Sequence, residues 1–337
     1  MTYLIRSGGA WLVLRGGKRR QWLAVARCFV TRELPGPALG RLAERHEVDV
    51  WPERVPPSPQ QLREHLADAH GLITTVSDQV DEATLDAAPE LEAIANYAVG
   101  YDNIDVAAAA RRGIAVGNTP DVLTDATADL TFALLLAAAR RLPQGIAAVR
   151  GGDWITWEPS RDLGFAVHGA TLGIVGDGRI GQAVAQRARG FAMEILVSGR
   201  SSGVALNDLL ARADFVSLHV PLTEDTRHLV DDDFLGRMKP TAFLINTARG
   251  GVVDQEALAR ALHAGQIAGA ALDVTDPEPL PAQDPLLDAP NLIVVPHIGS
   301  ATHSAREQMA ALAVDNLLAA LDGRPMPHPV APHPATT

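Results

Sequence analysis

The stretch LGIVGDGRIG, residues 172–181, leaves a chain few ways to fold. Thr171 to Val175 is short and apolar enough for a buried strand, and Ile180 to Phe191 repeats apolar residues at helical spacing. Between them stand Gly176, Gly178 and Gly181. Glycines so spaced allow a tight bend, a close backbone approach to a phosphate and close packing of helix on strand, with helix N-terminal amides facing the anion. The same turn can also join a strand to a helix with no ligand at all.

The alternation recurs in two arrays. The first begins at Arg27 with the strand candidates CFVT, VDVW, GLITT, LEAIANY and GIAV. A long apolar helix over about Leu123 to Arg141 and the connector RGGDWITWEPSRDLG lead to the second, with TLGIV, EILVS, FVSLHV, AFLINT, IAGAALDV and NLIVVP. This predicts an α/β fold of two doubly wound parallel-sheet domains, with ligands at the carboxyl ends of the strands. A last helix, roughly Ala301 to Leu321, returns to the first domain, and the proline-rich tail is irregular. The expected division is 25–120 with 302–330 in one domain and 121–301 in the other. Residues 1–24 read as a leader outside the fold, in which charges and glycines interrupt the apolar residues before a signal-peptide core can build.

Twenty-nine Lys and Arg against 40 Asp and Glu give a net charge of -11, so no basic field exists to attract nucleic acid or an anionic membrane. No span approaches membrane length. Cys28, the single cysteine, excludes an internal disulfide, and no Cys/His cluster has zinc-ligand spacing, so no metal site is expected. A reducing cytoplasm fits this composition.

Three polar residues follow strands of the second array. Arg249 follows AFLINTA, Glu278 lies beyond IAGAALDVTDP, and His297 follows NLIVVP. In a parallel sheet those ends share one edge. Singly they read as a surface ion-pair residue, a solvated loop acid and a turn histidine. Together they suit carbonyl reduction: arginine offers a planar fork to a carboxylate, histidine a proton near neutral pH, and a neighbouring carboxylate favours the charged imidazole.

The chain resembles the D-isomer-specific 2-hydroxyacid dehydrogenases, and within them the glyoxylate/hydroxypyruvate reductases. The resemblance rests on NYAVGYDNID, GNTPDVLTDATADLTFALLLAAARRLP, LGIVGDGRIGQAVAQRARGF, LHVPLTEDTRHLV, INTARGGVVDQEAL, GAALDVTDPEPLP and VVPHIGSATH, and covers about Arg27 to Pro327. It implies a flavodoxin-like substrate domain, a Rossmann coenzyme domain, a cleft between them and a homodimer built on the coenzyme domains. Arg249, Glu278 and His297 fall on the catalytic arginine, glutamate and histidine. The resemblance gives the substrate Val99, Gly100, Arg249, Ser300 and Trp157, although Trp157 can equally serve as plain interface packing. The coenzyme receives Thr127, Gly176, Gly178, Arg179, Ile180, Gly181, Pro221, Thr247, Asp273 and Gly299, with Asp273 at the nicotinamide carboxamide. The substrate implied is a small 2-oxoacid. A phosphoglycerate dehydrogenase and a dinucleotide-sensing corepressor are the rival readings; neither an added regulatory domain nor a peptide-binding segment is evident.

Two features depart from the family. Asp177 replaces an apolar residue between the first two glycines and is expected to point to solvent. The stretch between EILVSGR and LNDLLARADF is about ten residues short of the family norm, which predicts loss of its crossover helix. An NAD site places an acid about 20 residues past the glycines, for the ribose hydroxyls. Here Gly199 stands in that place, followed by Arg200 and Ser201, which suit a 2′-phosphate. NADPH is therefore expected to be preferred over NADH.

Overall fold

The computed structural model describes residues 3–7, 10–14, 22–199 and 203–331, the runs before Val25 as backbone only. It divides into two compact units, residues 1–122 with 302–337 and residues 123–301.

In the first unit, β1 (Tyr3–Ser7), β2 (Ala10–Leu14) and β3 (Trp22–Ala24) pair as a small antiparallel sheet within the stretch read as a leader. The main sheet comprises β4 (Arg27–Val30), β5 (Glu47–Val50), β6 (Gly71–Thr74), β7 (Ala93–Asn96) and β8 (Ala115–Gly117), all parallel, in the order β5-β4-β6-β7-β8. This is the flavodoxin-like order. Central β6 and β7 are buried throughout, as expected of strands covered on both faces. Helices α1 (Ala38–Ala43), α2 (Pro59–Leu66), α3 (Glu82–Asp86) and α4 (Val106–Arg111) make the crossovers. Local chemistry starts three of them: Ser58 and Gln61 form a capping box on α2, Asp81 accepts from Thr84 N on α3, and Asp105 accepts from Ala108 N on α4.

The second unit opens with α5 (Thr124–Ala139) and α6 (Leu142–Gly151), the latter absent from the sequence reading. Six parallel strands follow: β9 (Thr171–Val175), β10 (Glu194–Ser198), β11 (Phe215–Leu218), β12 (Phe243–Asn246), β13 (Gly269–Leu272) and β14 (Leu292–Val294), in the order β10-β9-β11-β12-β13-β14. Their connections carry α7 (Arg179–Gly190), α8 (Leu206–Arg212), α9 (Asp232–Arg237) and α10 (Gln255–His263). The doubly wound parallel sheets expected from the alternation are present in both units. The helix after β10, the seven-residue α8, lies in LNDLLAR, and none of the described residues between EILVSGR and that segment is helical. Among the described residues no strand pairs outside β10, which is the sheet edge. Finally α11 (His303–Leu321) packs on β6 and β7 of the first unit, burying Met309, Ala313, Val314 and Leu317.

At the amino ends of the second sheet, Phe215 is fully buried, stacked on Phe243 at 5.4 Å and met edge-on by Phe165 at 5.7 Å. Truncating it leaves a cavity that close-packed neighbours fill only in part. Phe215→Ala is expected to lower unfolding free energy by about 3–5 kcal/mol in urea titrations. A loss under about 1 kcal/mol would show that the cluster is not a core element.

Candidate active site

Parallel register aligns the strand ends of the second unit. Ser198 pairs with Val175, Val175 with Leu218, Leu218 with Asn246, Asn246 with Leu272, and Leu272 with Val294. The next residues along this edge are Gly199, Gly176, His219, Thr247, Asp273 and Val295.

The glycine turn fits a pyrophosphate. Gly176 has φ +110°, and a methyl group there would meet His219 O at 2.4 Å. A methyl on Gly181 would meet Gly176 O at the same distance, so α7 packs this closely only without a side chain. Gly178 caps α7 with no side-chain hydrogen bond, and a methyl on it would meet open space. The first amides of α7 thus receive no side-chain cap and face an open approach, the arrangement that binds an anion. Arg179 and Ile180 begin that helix, and Ile180 packs partly on the core.

The three residues singled out for chemistry lie on neighbouring loops. Arg249 is three residues beyond β12, Glu278 six beyond β13 and His297 three beyond β14. Glu278 Oε1 is 2.5 Å from His297 Nδ1. Asn246, fully buried, donates to Arg249 O (2.9 Å) and accepts from Ala248 N (3.0 Å), fixing the backbone that carries Arg249. Gly250 then packs directly on the next loop, where a methyl group would lie 1.9 Å from Thr275 O. Gln255 clamps that loop from α10, donating to Asp276 O (2.7 Å) and accepting from Asp276 N (2.8 Å). The peptide bonds Asp276–Pro277 and Glu278–Pro279 on either side are cis.

His297 has a left-handed backbone, φ +51°, unusual for a side chain of its size. Asp273 sustains it. His297 N donates to Asp273 O (2.9 Å), while the carboxylate accepts from Ile298 N at Oδ1 (2.7 Å) and Gly299 N at Oδ2 (2.8 Å). Burial raises the Asp273 carboxyl above its ordinary range, against the amides of Ile298 and Gly299 and the charge of His297. The residue expected at the nicotinamide carboxamide is therefore also the brace of the His297 turn. Gly299 packs against Thr127, whose carbonyl accepts from Thr131 Oγ1 (2.8 Å); Thr131 Oγ1 lies 2.8 Å from Thr247 Oγ1. Ser300 follows Gly299, and Pro221 follows β11, its carbonyl accepting from Thr226 Oγ1 (2.6 Å).

Other expected residues belong to other segments. Val99 and Gly100 belong to the first unit, where Asn118 donates to Val99 O (2.7 Å) and Asn96 to Gly100 O (2.8 Å). In a trans peptide the N–H opposes the C=O, so the amide of Gly100 points away from Asn118. Trp157 is 80% exposed on the connector after α6. Arg200 and Ser201 lie outside the described residues. Asp177 does not point simply to solvent: it is half-buried with its side chain against Gly199. Asp273 as a brace, Gln255, Thr131 and His219 were not read from sequence as structural partners; the LHVP and GVVDQ stretches contain His219 and Gln255, but nothing local says what either touches.

His219 Nε2 lies 2.8 Å from Ser217 Oγ, and burial lowers its pKa to about 4. The unfolded chain binds this proton near the ordinary histidine value, about 6.5, and the folded chain near 4. Stability is therefore expected to fall as pH drops between those values, by up to about 3 kcal/mol from this group. Comparing urea midpoints of wild type and His219→Gln over that window checks the effect; parallel pH dependences would contradict it.

Residues 132–299 match the profile of the D-isomer specific 2-hydroxyacid dehydrogenase, NAD binding domain. A glyoxylate reductase of Korarchaeum cryptofilum is 50% identical over 305 residues, 87% of this chain and 92% of that protein. One from Thermococcus kodakarensis is 49% identical over 316 residues, 89% and 95%. Among solved structures, the TT0316 protein of Thermus thermophilus superposes with TM-score 0.87 at 51% identity, covering 90% of this chain and all of that one. An NADPH-dependent glyoxylate/hydroxypyruvate reductase of Sinorhizobium meliloti, in complex with NADP and malonate, gives TM-score 0.81 at 35% identity, with coverages of 91% and 97%. With its glycine turn and its Arg249, Glu278 and His297 loops on one sheet edge, this chain belongs to the D-isomer-specific 2-hydroxyacid dehydrogenases, oxidoreductases that use a nicotinamide dinucleotide on small 2-oxoacids and 2-hydroxyacids.

Proposed function

We propose that the chain reduces glyoxylate or hydroxypyruvate to glycolate or D-glycerate, with Arg249, Glu278 and His297 as its catalytic residues. The 2.5 Å pairing of His297 Nδ1 with Glu278 carries this reading. It commits one ring nitrogen to the carboxylate and leaves Nε2 for the substrate oxygen. A bound dinucleotide supplies the hydride. Arg249 holds the substrate carboxylate through its planar fork and polarises the carbonyl. His297, held by Glu278 at Nδ1, gives a proton to the oxygen as negative charge develops there. The relatives named glyoxylate reductase support the substrate class. NADPH is the preferred coenzyme in this proposal because Gly199 has no side chain and Arg200 and Ser201 follow it.

The proposal includes a homodimer in the cytoplasm. Leu142, Ile146 and Val149 of α6 are each more than half exposed, with Trp154, Ile155 and Trp157 exposed on the connector that follows. A patch of this kind on a soluble enzyme suits a second copy of the chain. Among the described residues no single helix is long and apolar enough to cross a membrane.

Oxidation of NADPH and NADH with glyoxylate, hydroxypyruvate and pyruvate tests the activity. His297→Gln is expected to cut kcat by about 10²–10⁴ while dinucleotide binding stays intact, the scale of a lost general acid. Arg249→Lys keeps the charge, loses the fork, and should lower kcat/KM sharply. Near-normal kinetics in either variant would remove that residue from its role. In light scattering Ile146→Asp should shift the protein toward monomer; an unchanged mass would exclude α6 from the interface.

A further inference from the structure

We propose that Asp177 is a specificity-determining residue for the dinucleotide, holding at the end of β10 the carboxylate that Gly199 lacks and opposing a 2′-phosphate there. The inference rests on the reading that the glycine turn holds a dinucleotide. Asp177 lies in that turn, between Gly176 and Gly178, yet its side chain reaches the neighbouring strand. A methyl group at Gly199 would sit 2.5 Å from Asp177 Cγ, 2.6 Å from Oδ2 and 2.8 Å from Cβ. No residue with a side chain fits at position 199 while Asp177 keeps this place.

The backbone roots the carboxylate there. Ser198 is in register with Val175, and Gly176 N donates to Ser198 O at 2.8 Å, which ties the turn to the end of β10. Gln182 Nε2 donates to Asp177 O at 2.9 Å and holds the same peptide from α7. Val204 N donates to Val197 O at 2.9 Å beside it. The end of β10 is where an NAD site recognises the ribose hydroxyls with an acid. A carboxylate accepts hydrogen bonds from two hydroxyls and repels a phosphate. Asp177 therefore favours the ribose hydroxyls of NAD and works against a 2′-phosphate at this place.

Isothermal titration of NADP⁺ and NAD⁺, and of the adenosine-end fragments 2′,5′-ADP and 5′-AMP, into wild type and Asp177→Asn tests this without turnover. The variant is expected to bind NADP⁺ and 2′,5′-ADP about ten-fold more tightly, the scale of one removed like charge near a surface, and NAD⁺ and 5′-AMP no more tightly than wild type. Asp177→Leu, with thermal melting to show that it folds, should tighten NADP⁺ in the same sense. Equal changes for both dinucleotides, no change, or weaker NADP⁺ binding would overturn the proposal; the last would mean that Asp177 serves the ligands of the phosphate. Wild type that binds none of the four would instead defeat the coenzyme reading of the turn.

Discussion

Parallel, in-register pairing of six strands is the constraint on which the rest of the second unit depends. Hydrogen bonding fixes Ser198, Val175, Leu218, Asn246, Leu272 and Val294 in one row, so the segments that follow them must emerge side by side. Residues far apart in sequence become neighbours along that edge because backbone geometry, not side-chain affinity, brings them there. The buried apolar strands drive this burial, and their ends become the place where polar groups can stand.

The loops are held by polar side chains, of which Asn246 and Asp273 are buried and Gln255 partly so. Asn246, Asp273 and Gln255 each satisfy backbone amides or carbonyls of a loop, and none of them needs to touch a substrate to matter. A backbone group buried without a partner is costly, so each side chain also stabilises the turn it braces. His297 shows the consequence: its left-handed backbone persists because three consecutive amides, from His297 to Gly299, all end on Asp273. Glycine has the complementary function. Gly176, Gly181 and Gly250 stand where the backbone of another segment occupies the space of a methyl group, and so they let turn, helix and loop close on one another.

Much was legible in the sequence, for reasons particular to each element. TLGIV and EILVS coincide with β9 and β10, since buried strands of a parallel sheet are continuous apolar runs bounded by turn residues. The long helix before the connector was legible from its length, whereas α6 was not. Its apolar residues are exposed, so it lacks the contrast between a buried and a solvated face that marks a helix. Asp177 was misjudged because its neighbour in space, Gly199, follows the next strand.

What the sequence determined by itself was the parallel α/β class, the two arrays, the glycine turn and the set of residues ending strands, because all of these follow from local periodicity and from residue type. Tertiary structure decided which of those residues are partners. The pairing of His297 with Glu278, the brace that Asp273 gives to the His297 turn and the seat of Asp177 on Gly199 each join segments from different strands. Such contacts leave no periodic signature in the chain, because they arise only once strand register has set the loops beside one another.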